Sequence, residues 1–318
     1  MEPWLIILIS ALAFLLISGG LFSFFYTMKI AKKVYRAQMV RETPSKWPRE
    51  CTALDNEEQV AMWNEGMDWA NQYKDKMKEV HVKNGDLNLY GEFYNFGFNK
   101  TAFILPGRPE TLCYAYYFAK GYEKIGYNVL VIDNRAVGKS DGLVNTCGIL
   151  ESHDYVIWIK YLREELHQEK VITHSICVGG VGAIKAYRKD ESLIDAFIID
   201  GLFINFKETF KNHMIDLNRP IFPVFYELWH FFKKDTGHSI NESAPIKDVP
   251  YMKKPVLFLY TRKDIFSKPD KSQLMFDKCG SENKEIKWFD KGLHSHIKIN
   301  NEDEYNATIK DFLSRNVR

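Results

Sequence analysis

The most prominent feature of the hydrophobic pattern is one uninterrupted apolar run near the start of the chain. Residues 3–28 contain no charged residue, and as a helix they are long enough to cross a hydrocarbon core of about 30 Å. Glu2 precedes the run. Basic residues follow it: Lys29, Lys32, Lys33, Arg36 and Arg41. A cleaved signal peptide has its basic flank before a shorter apolar stretch, so the pattern predicts a retained single-pass transmembrane helix with the following domain in the cytoplasm.

Residues 29–78 are predicted to form a juxtamembrane linker followed by a helix. Apolar side chains recur at helical spacing within residues 57–73, namely at Val60, Trp63, Met67 and Ala70. This stripe indicates an amphipathic helix that packs on the main domain. We assign no chemistry to it, because a tryptophan or methionine in such a stripe is usually a packing residue.

From residue 79 to the end of the chain at residue 318, the pattern predicts a single α/β domain. Apolar positions alternate on both sides of Asn84-Gly85, which predicts an antiparallel hairpin. Short apolar runs follow at 101–105, 129–133, 171–174, 196–199 and 256–260. Most are separated by stretches with helical character, and this alternation predicts a mostly parallel sheet with crossover helices.

Residues 202–248 interrupt this alternation with a segment rich in phenylalanine, tyrosine and tryptophan. Most aromatic residues at such spacing pack in a core. An insertion between two strands also lies near the carboxyl edge of a parallel sheet, where ligands bind. The segment is therefore predicted to be a helical lid.

Composition and charge exclude several classes of function. Lysine and arginine number 43 against 41 aspartate and glutamate residues, so the chain lacks the basic excess that would predict a nucleic-acid partner. The five cysteines are far apart and form no C-x-x-C pair. Neither a disulfide framework nor a zinc site is expected.

The strongest chemical signal follows the run at 171–174. Residues 175–180 read SICVGG and precede a helix-compatible stretch, and this segment resembles the nucleophile elbow of the α/β-hydrolases. The resemblance places Cys177 at the nucleophile position, with Ser175 in place of the first glycine. A rival register makes Ser175 the nucleophile, but it puts Cys177 where the second glycine belongs. A third interpretation is that Cys177 is only a small buried apolar residue.

Two further loops resemble parts of the same superfamily. Residues 133–142 read DNRAVGKSDG, which is similar to the superfamily's D-x-R-x-x-G-x-S-x-G loop, and we expect it to hold a turn. Residues 105–108 read LPGR and occupy the place of the oxyanion loop. The resemblance implies that the backbone N–H groups of Arg108 and Val178 hold a developing oxyanion.

The acid and the histidine of a triad are expected downstream in the order that this fold uses. Asp264 follows the run at 256–260 and is similar to the catalytic acid, with Asp270 as a weaker substitute. His294 follows a predicted strand at 285–289 and fits the loop that carries the catalytic histidine better than His296 does.

Taken together, the motifs resemble membrane-anchored bacterial hydrolases of the serine-aminopeptidase-like group, with a cysteine nucleophile similar to that of dienelactone hydrolases. The resemblance implies hydrolysis of a small-molecule carboxylic ester, thioester or lactone, with an apolar acyl group, by Cys177, His294 and Asp264. This mechanism requires neither a metal nor an organic cofactor. The alternative is a catalytically inactive binding or scaffold protein that has kept the fold.

Overall fold

The computed structural model describes residues 2–51, 53–219 and 221–317. Its centre is an eight-stranded sheet with the order β1-β2-β4-β3-β5-β6-β7-β8. The strands are β1 (Met77–Asn84), β2 (Leu87–Tyr94), β3 (Lys100–Leu105), β4 (Asn128–Ile132), β5 (Lys170–Ile176), β6 (Ala196–Asp200), β7 (Val256–Thr261) and β8 (Lys284–Phe289). The β1–β2 and β2–β4 pairs are antiparallel and the remaining pairs are parallel. The predicted α/β class, the opening hairpin and the mostly parallel sheet are confirmed.

Helices cover both faces of this sheet. They are α1 (Pro3–Met39), α2 (Glu57–Gln72), α3 (Leu112–Ala119), α4 (Glu151–Glu164), α5 (Val178–Lys189), α6 (Phe206–Asp216), α7 (Val224–Thr236), α8 (Pro269–Lys278), α9 (Ile297–Asn300) and α10 (Glu302–Asn316). Successive side chains of a strand point to opposite faces. In β3, for example, Phe103 packs with residues of α4 and α5, whereas Ile104 packs with residues of α2, α3 and α10.

Helix α1 contains the predicted membrane span and continues well beyond it. An 18-residue window of this helix has a mean hydropathy of 2.6, and none of the window is buried by the rest of the chain. The helix does not end near residue 28, where the sequence suggested a change to linker, but at Met39. Its last turns are part of the core, because Ala31, Tyr35 and Met39 are buried.

The segment after α1 is fixed to the main domain by two arginines. Arg41 donates hydrogen bonds to the backbone oxygens of Gly138 and Ser140. Arg49 forms an ion pair with Asp133, with 2.6 Å between Nη2 and Oδ2. Residues that the pattern described only as a polar linker therefore hold the loop at 133–142 in place.

The aromatic insertion is helical, as its pattern predicted. It contains α6 and α7, followed by short 3-10 segments at Ile240–Glu242 and Pro245–Lys247. Helix α7 packs along the C-terminal half of α1. Helix α6 faces the carboxyl edge of the sheet and contributes side chains to a cavity there.

Candidate active site

Cys177 occupies the sharp turn between β5 and α5. Its φ of 52° and ψ of −116° lie outside the conformations that side chains favour, and such strain is characteristic of functional turns. The turn packs closely against β3, because a Cβ atom on Gly179 would lie 2.5 Å from the backbone oxygen of Leu105. Only glycine fits at that position. The thiol is partly exposed and lines a cavity of 330 Å³.

Ser175, the nucleophile of the rival register, lies inside β5. It pairs with Leu105 on one side and with Ile199 on the other, and its side chain is fully buried. Its hydroxyl has no hydrogen-bond partner in the described part of the chain. The geometry therefore favours Cys177 as the residue that can meet a substrate.

Asp264 and His294 come from the loops that follow β7 and β8. The Nδ1 atom of His294 lies 2.7 Å from Oδ2 of Asp264. The other oxygen of Asp264 accepts the backbone N–H groups of Phe266 and Ser267 at 2.8 and 2.7 Å. These bonds fix the orientation of the carboxylate, and the carboxylate in turn orients the imidazole.

His294 also faces the thiol of Cys177. Burial lowers the pKa of His294, but the charges of Asp264 and Cys177 and the hydrogen bonds to both raise it, and the net pKa lies well above the ordinary value. Because Nδ1 is engaged by Asp264, Nε2 is the nitrogen left to exchange a proton with sulfur. The structure thus brings together the three side chains that the sequence predicted.

The two expected oxyanion donors lie at the same cavity as the thiol. Arg108 and Val178 both line the cavity, and Val178 is the first residue of α5. Among the described residues, neither backbone N–H donates a hydrogen bond to another group. Both remain free to bind a developing negative charge at this end of the helix.

The cavity wall is mostly apolar, with a few polar groups beside the triad. Four phenylalanines contribute to it: Phe203, Phe206, Phe210 and Phe266. Thr209 and His213 of α6 also line it. The remaining wall is formed by the loop after β3 and by Gln38 of α1, whose backbone oxygen accepts a hydrogen bond from the Arg108 guanidinium.

Several residues of the site were not assigned to it from the sequence, among them Glu110, His296 and Gln38. Glu110 accepts the N–H of Gly107 at 3.2 Å, and burial raises the pKa of its carboxyl. His296 lines the same cavity, and its Nδ1 lies 2.8 Å from the backbone oxygen of His294. Gln38 lines the cavity because α1 continues to Met39. Only His296 gave a signal in the sequence, as the second histidine of the same loop.

The substitute acid, Asp270, does not belong to the site. It lies in the first turn of α8 and its side chain is largely exposed. The D-x-R-x-x-G-x-S-x-G loop has the contacts of a structural turn: Arg135 pairs with Asp154 at 2.6 Å, and the Ser140 hydroxyl donates to the backbone oxygen of Asp133 at 2.7 Å.

Comparison with known proteins supports the fold independently. Residues 103–235 match the family model described as alpha/beta hydrolase fold. The match contains Cys177 and ends before Asp264 and His294.

Among solved structures, an esterase from Pyrococcus furiosus, Pf2001, superposes with a TM-score of 0.65 at 22% identity, over 77% of this chain and 95% of that one. Est816, described as an N-acyl homoserine lactone degrading enzyme, gives 0.56 at 16% identity, over 73% and 100%. The chain has the α/β-hydrolase fold.

Curated relatives share the central part of the chain. Protein bem46 of Schizosaccharomyces pombe is 29% identical over 197 residues, 61% of this chain and 60% of its own length. The uncharacterized membrane protein YNL320W of Saccharomyces cerevisiae is 26% identical over 192 residues, 60% of this chain and 62% of its own length. The chain thus matches less than two thirds of the length of these relatives.

Proposed function

We propose that this protein is a membrane-anchored hydrolase of a carboxylic ester, thioester or lactone, with Cys177 as nucleophile, His294 as base and Asp264 as its orienting acid. One observation carries the proposal. The imidazole of His294 is held by Asp264 at 2.7 Å on one side and faces Cys177 on the other, while Cys177 occupies the strained turn that presents it to the cavity.

The reaction proceeds in two halves. The Cys177 sulfur attacks the acyl carbon as its proton passes to Nε2 of His294, and the oxyanion that forms accepts hydrogen bonds from the backbone of Arg108 and Val178. Collapse breaks the bond to the leaving alcohol or thiol, which takes the proton from His294. Water then attacks the acyl-thioester, gives its proton to His294, and releases the acid and the thiol.

The cavity wall supports an apolar acyl group as the part of the substrate that is recognised. The phenylalanines of α6 and of the loop at Phe266 offer apolar contacts, and such contacts bind hydrocarbon without selecting one head group. The names of the structural neighbours, an esterase and a lactone-degrading enzyme, agree with this substrate class.

We also propose that α1 spans the membrane once and leaves the main domain in the cytoplasm. The apolar part of α1 is exposed, as a helix in contact with lipid would be, and the basic residues lie on the side of the domain. A relative from budding yeast is named a membrane protein. Cleavage of the domain by a protease added outside intact cells would contradict this orientation.

The triad is tested by comparing variants of the full-length protein in detergent micelles on esters of increasing acyl length. We expect Cys177→Ala to lower kcat/KM at least roughly a thousandfold, since it removes the attacking atom. Cys177→Ser should keep partial activity, because the same base can act on a hydroxyl. Ser175→Ala should keep nearly full activity.

Cys51→Ala is the matched control, since Cys51 is partly exposed and lies outside the cavity lining. Iodoacetamide should label Cys177 faster than Cys51, and the His294→Ala variant should lose this difference. Full activity in Cys177→Ala together with loss in Ser175→Ala would overturn the assignment of the nucleophile. Absence of turnover in the wild type on every ester, thioester and lactone tried would favour the non-catalytic scaffold.

A further inference from the structure

Exposed apolar side chains cluster where α6 ends and α7 begins. Four residues there have half or more of their surface in solvent: Ile215 at 50%, Leu217 at 55%, Phe222 at 82% and Tyr226 at 50%. We call these four residues the lid tip. Large exposed apolar groups that lie together on a folded domain usually mark a surface that another apolar surface covers.

The contacts between α7 and α1 indicate which apolar surface covers the lid tip. The Thr27 hydroxyl donates to Glu227 at 2.9 Å, and the Tyr35 hydroxyl donates to Asp235 at 3.0 Å. Both pairs are 200 residues apart in the chain. Helices α1 and α7 therefore run parallel and in register, so that each residue of α7 is level with the residue of α1 numbered 200 lower.

This register places the lid tip beside the apolar part of α1. Tyr226 is level with Tyr26, and Phe222, just before α7, lies near the level of Phe22. The apolar run ends at Met28, and Lys29 is the first charged residue after it. With a rise of 1.5 Å per residue, Tyr226 lies about 3 Å and Phe222 about 9 Å on the apolar side of that boundary. Interfacial helices bury their apolar face about 5–10 Å deep.

Aromatic rings connect the lid tip with the cavity. Phe206 and Phe210 line the cavity and stack with a centroid distance of 6.0 Å. Phe210 stacks on Phe225 at 6.3 Å, and Phe225 contacts the ring of Tyr226 at 5.3 Å. A series of packed aromatic rings, of which Phe210 and Phe225 are buried, thus links the cavity wall to Tyr226 of the lid tip.

We propose that the lid tip is inserted in the interface of the bilayer that α1 spans, and that the substrate is an acyl ester or thioester whose chain is held in that bilayer. This inference rests on the proposed function and names its substrate class. In it, the acyl chain is held by the apolar part of the bilayer and by the phenylalanines of the cavity wall, and its carboxyl carbon reaches Cys177 in the cavity.

The insertion is tested without any catalytic readout. The full chain carrying Cys51→Ser and Cys177→Ser receives Phe222→Cys, is labelled with an environment-sensitive NBD dye and is reconstituted in phosphatidylcholine vesicles. Leu143→Cys is the matched control, because Leu143 is 69% exposed and lies beyond the end of α1, next to the β-bridge of Val40 and Val144.

Dye at position 222 should emit at shorter wavelength than dye at position 143, and lipids with a nitroxide near the head group should quench it several times more strongly. Equal quenching at the two positions would overturn the insertion. The result is independent of whether the protein has any hydrolytic activity.

The substrate class is tested with the double variant Phe222→Ser, Tyr226→Ser against Leu143→Ser. For a long-chain acyl thioester held in vesicles, turnover by the double variant should fall roughly tenfold, because two apolar anchors are lost. Turnover of a short water-soluble ester should not change. Equal effects on both substrates would overturn the proposal. If the wild type hydrolyses neither, the proposed function fails, while the quenching experiment still decides the insertion.

Discussion

Two histidines of the fold, one at the wall of the cavity and one in the core beneath it, have contrasting neighbours. His294 bonds directly to Asp264. His174, in the middle of β5, lies between two tyrosine hydroxyls, with Tyr122 at 3.1 Å from Nδ1 and Tyr305 at 2.9 Å from Nε2. Tyr305 then donates to Asp200 at 2.7 Å.

The two arrangements shift the pKa of the imidazole in opposite directions. Burial lowers the pKa of His174 well below its ordinary value, and the charge of Lys298 lowers it further. His174 is therefore neutral, so one of its nitrogens donates and the other accepts. Since Tyr305 gives its own proton to Asp200, Nε2 must be the donor and Nδ1 must accept from Tyr122. At His294 the direct contact with a carboxylate outweighs burial, and the pKa rises.

Residue type alone therefore does not distinguish a reactive histidine from a structural one. Direct contact with a charged acid and access to a cavity make His294 able to hold a proton during a reaction. Two neutral hydroxyl neighbours and complete burial make His174 a fixed link between α10 and the sheet. Variants of these residues should therefore affect either activity or stability.

The largest effect is expected from His294→Ala. Loss of the base should lower kcat/KM for ester hydrolysis by roughly a thousandfold or more. His153→Ala, at an exposed position of α4, is the control. A His294→Ala variant with more than a tenth of wild-type activity would contradict the assignment of His294 as the base.

The second effect concerns stability. His174→Ala leaves a cavity and removes the hydrogen bonds to Tyr122 and Tyr305, so the free energy of unfolding should fall by about 3–5 kcal/mol. Denaturant titration in detergent measures it. Activity per folded molecule should stay within about threefold of wild type. A large loss of activity with unchanged stability would mean that His174 takes part in catalysis.

The third effect concerns the pH dependence of stability and depends on Asp200. Burial raises its pKa to about 7, so between about pH 4 and pH 7 the folded state holds a proton that the unfolded chain has released. The contribution of Asp200 to the stability of the folded state is therefore fully present below this range, and it is lost as pH rises through the range. In Asp200→Asn this loss of stability is absent, and the difference in unfolding free energy between the two proteins should change by on the order of 4 kcal/mol across the range. A difference that does not vary with pH would contradict the raised pKa.

Much of the fold and of the candidate site could be predicted from local pattern. Runs of apolar residues located the parallel strands, and the elbow at Cys177 was recognisable because its small neighbours are required by close packing against β3. Asp264 and His294 could be placed because each follows a strand and parallel strands end at one edge of the sheet.

Other features depend on contacts between distant segments, which local periodicity does not encode. The continuation of α1 to Met39 could not be distinguished from a polar linker, since its helical stripe is explained only by packing on α7. Glu110 gave no signal, because a glutamate after Pro109 is ordinary in a loop. The role of His174 was hidden because its partners Tyr122 and Tyr305 lie far away in the chain.

The continuity of α1 from Pro3 to Met39 has a geometric consequence for the choice of substrate. Met28, at the end of the apolar run, and Gln38, at the rim of the cavity, belong to the same helix, so they are separated by about 15 Å along its axis. Arg41 and Arg49 fix the next segment to the domain. In the proposed membrane anchoring, the helix therefore holds the sulfur of Cys177 at a fixed height above the lipid. Molecules should be cleaved best when their scissile bond reaches that height, and shortening α1 by one full turn should shift the preference to shorter acyl chains.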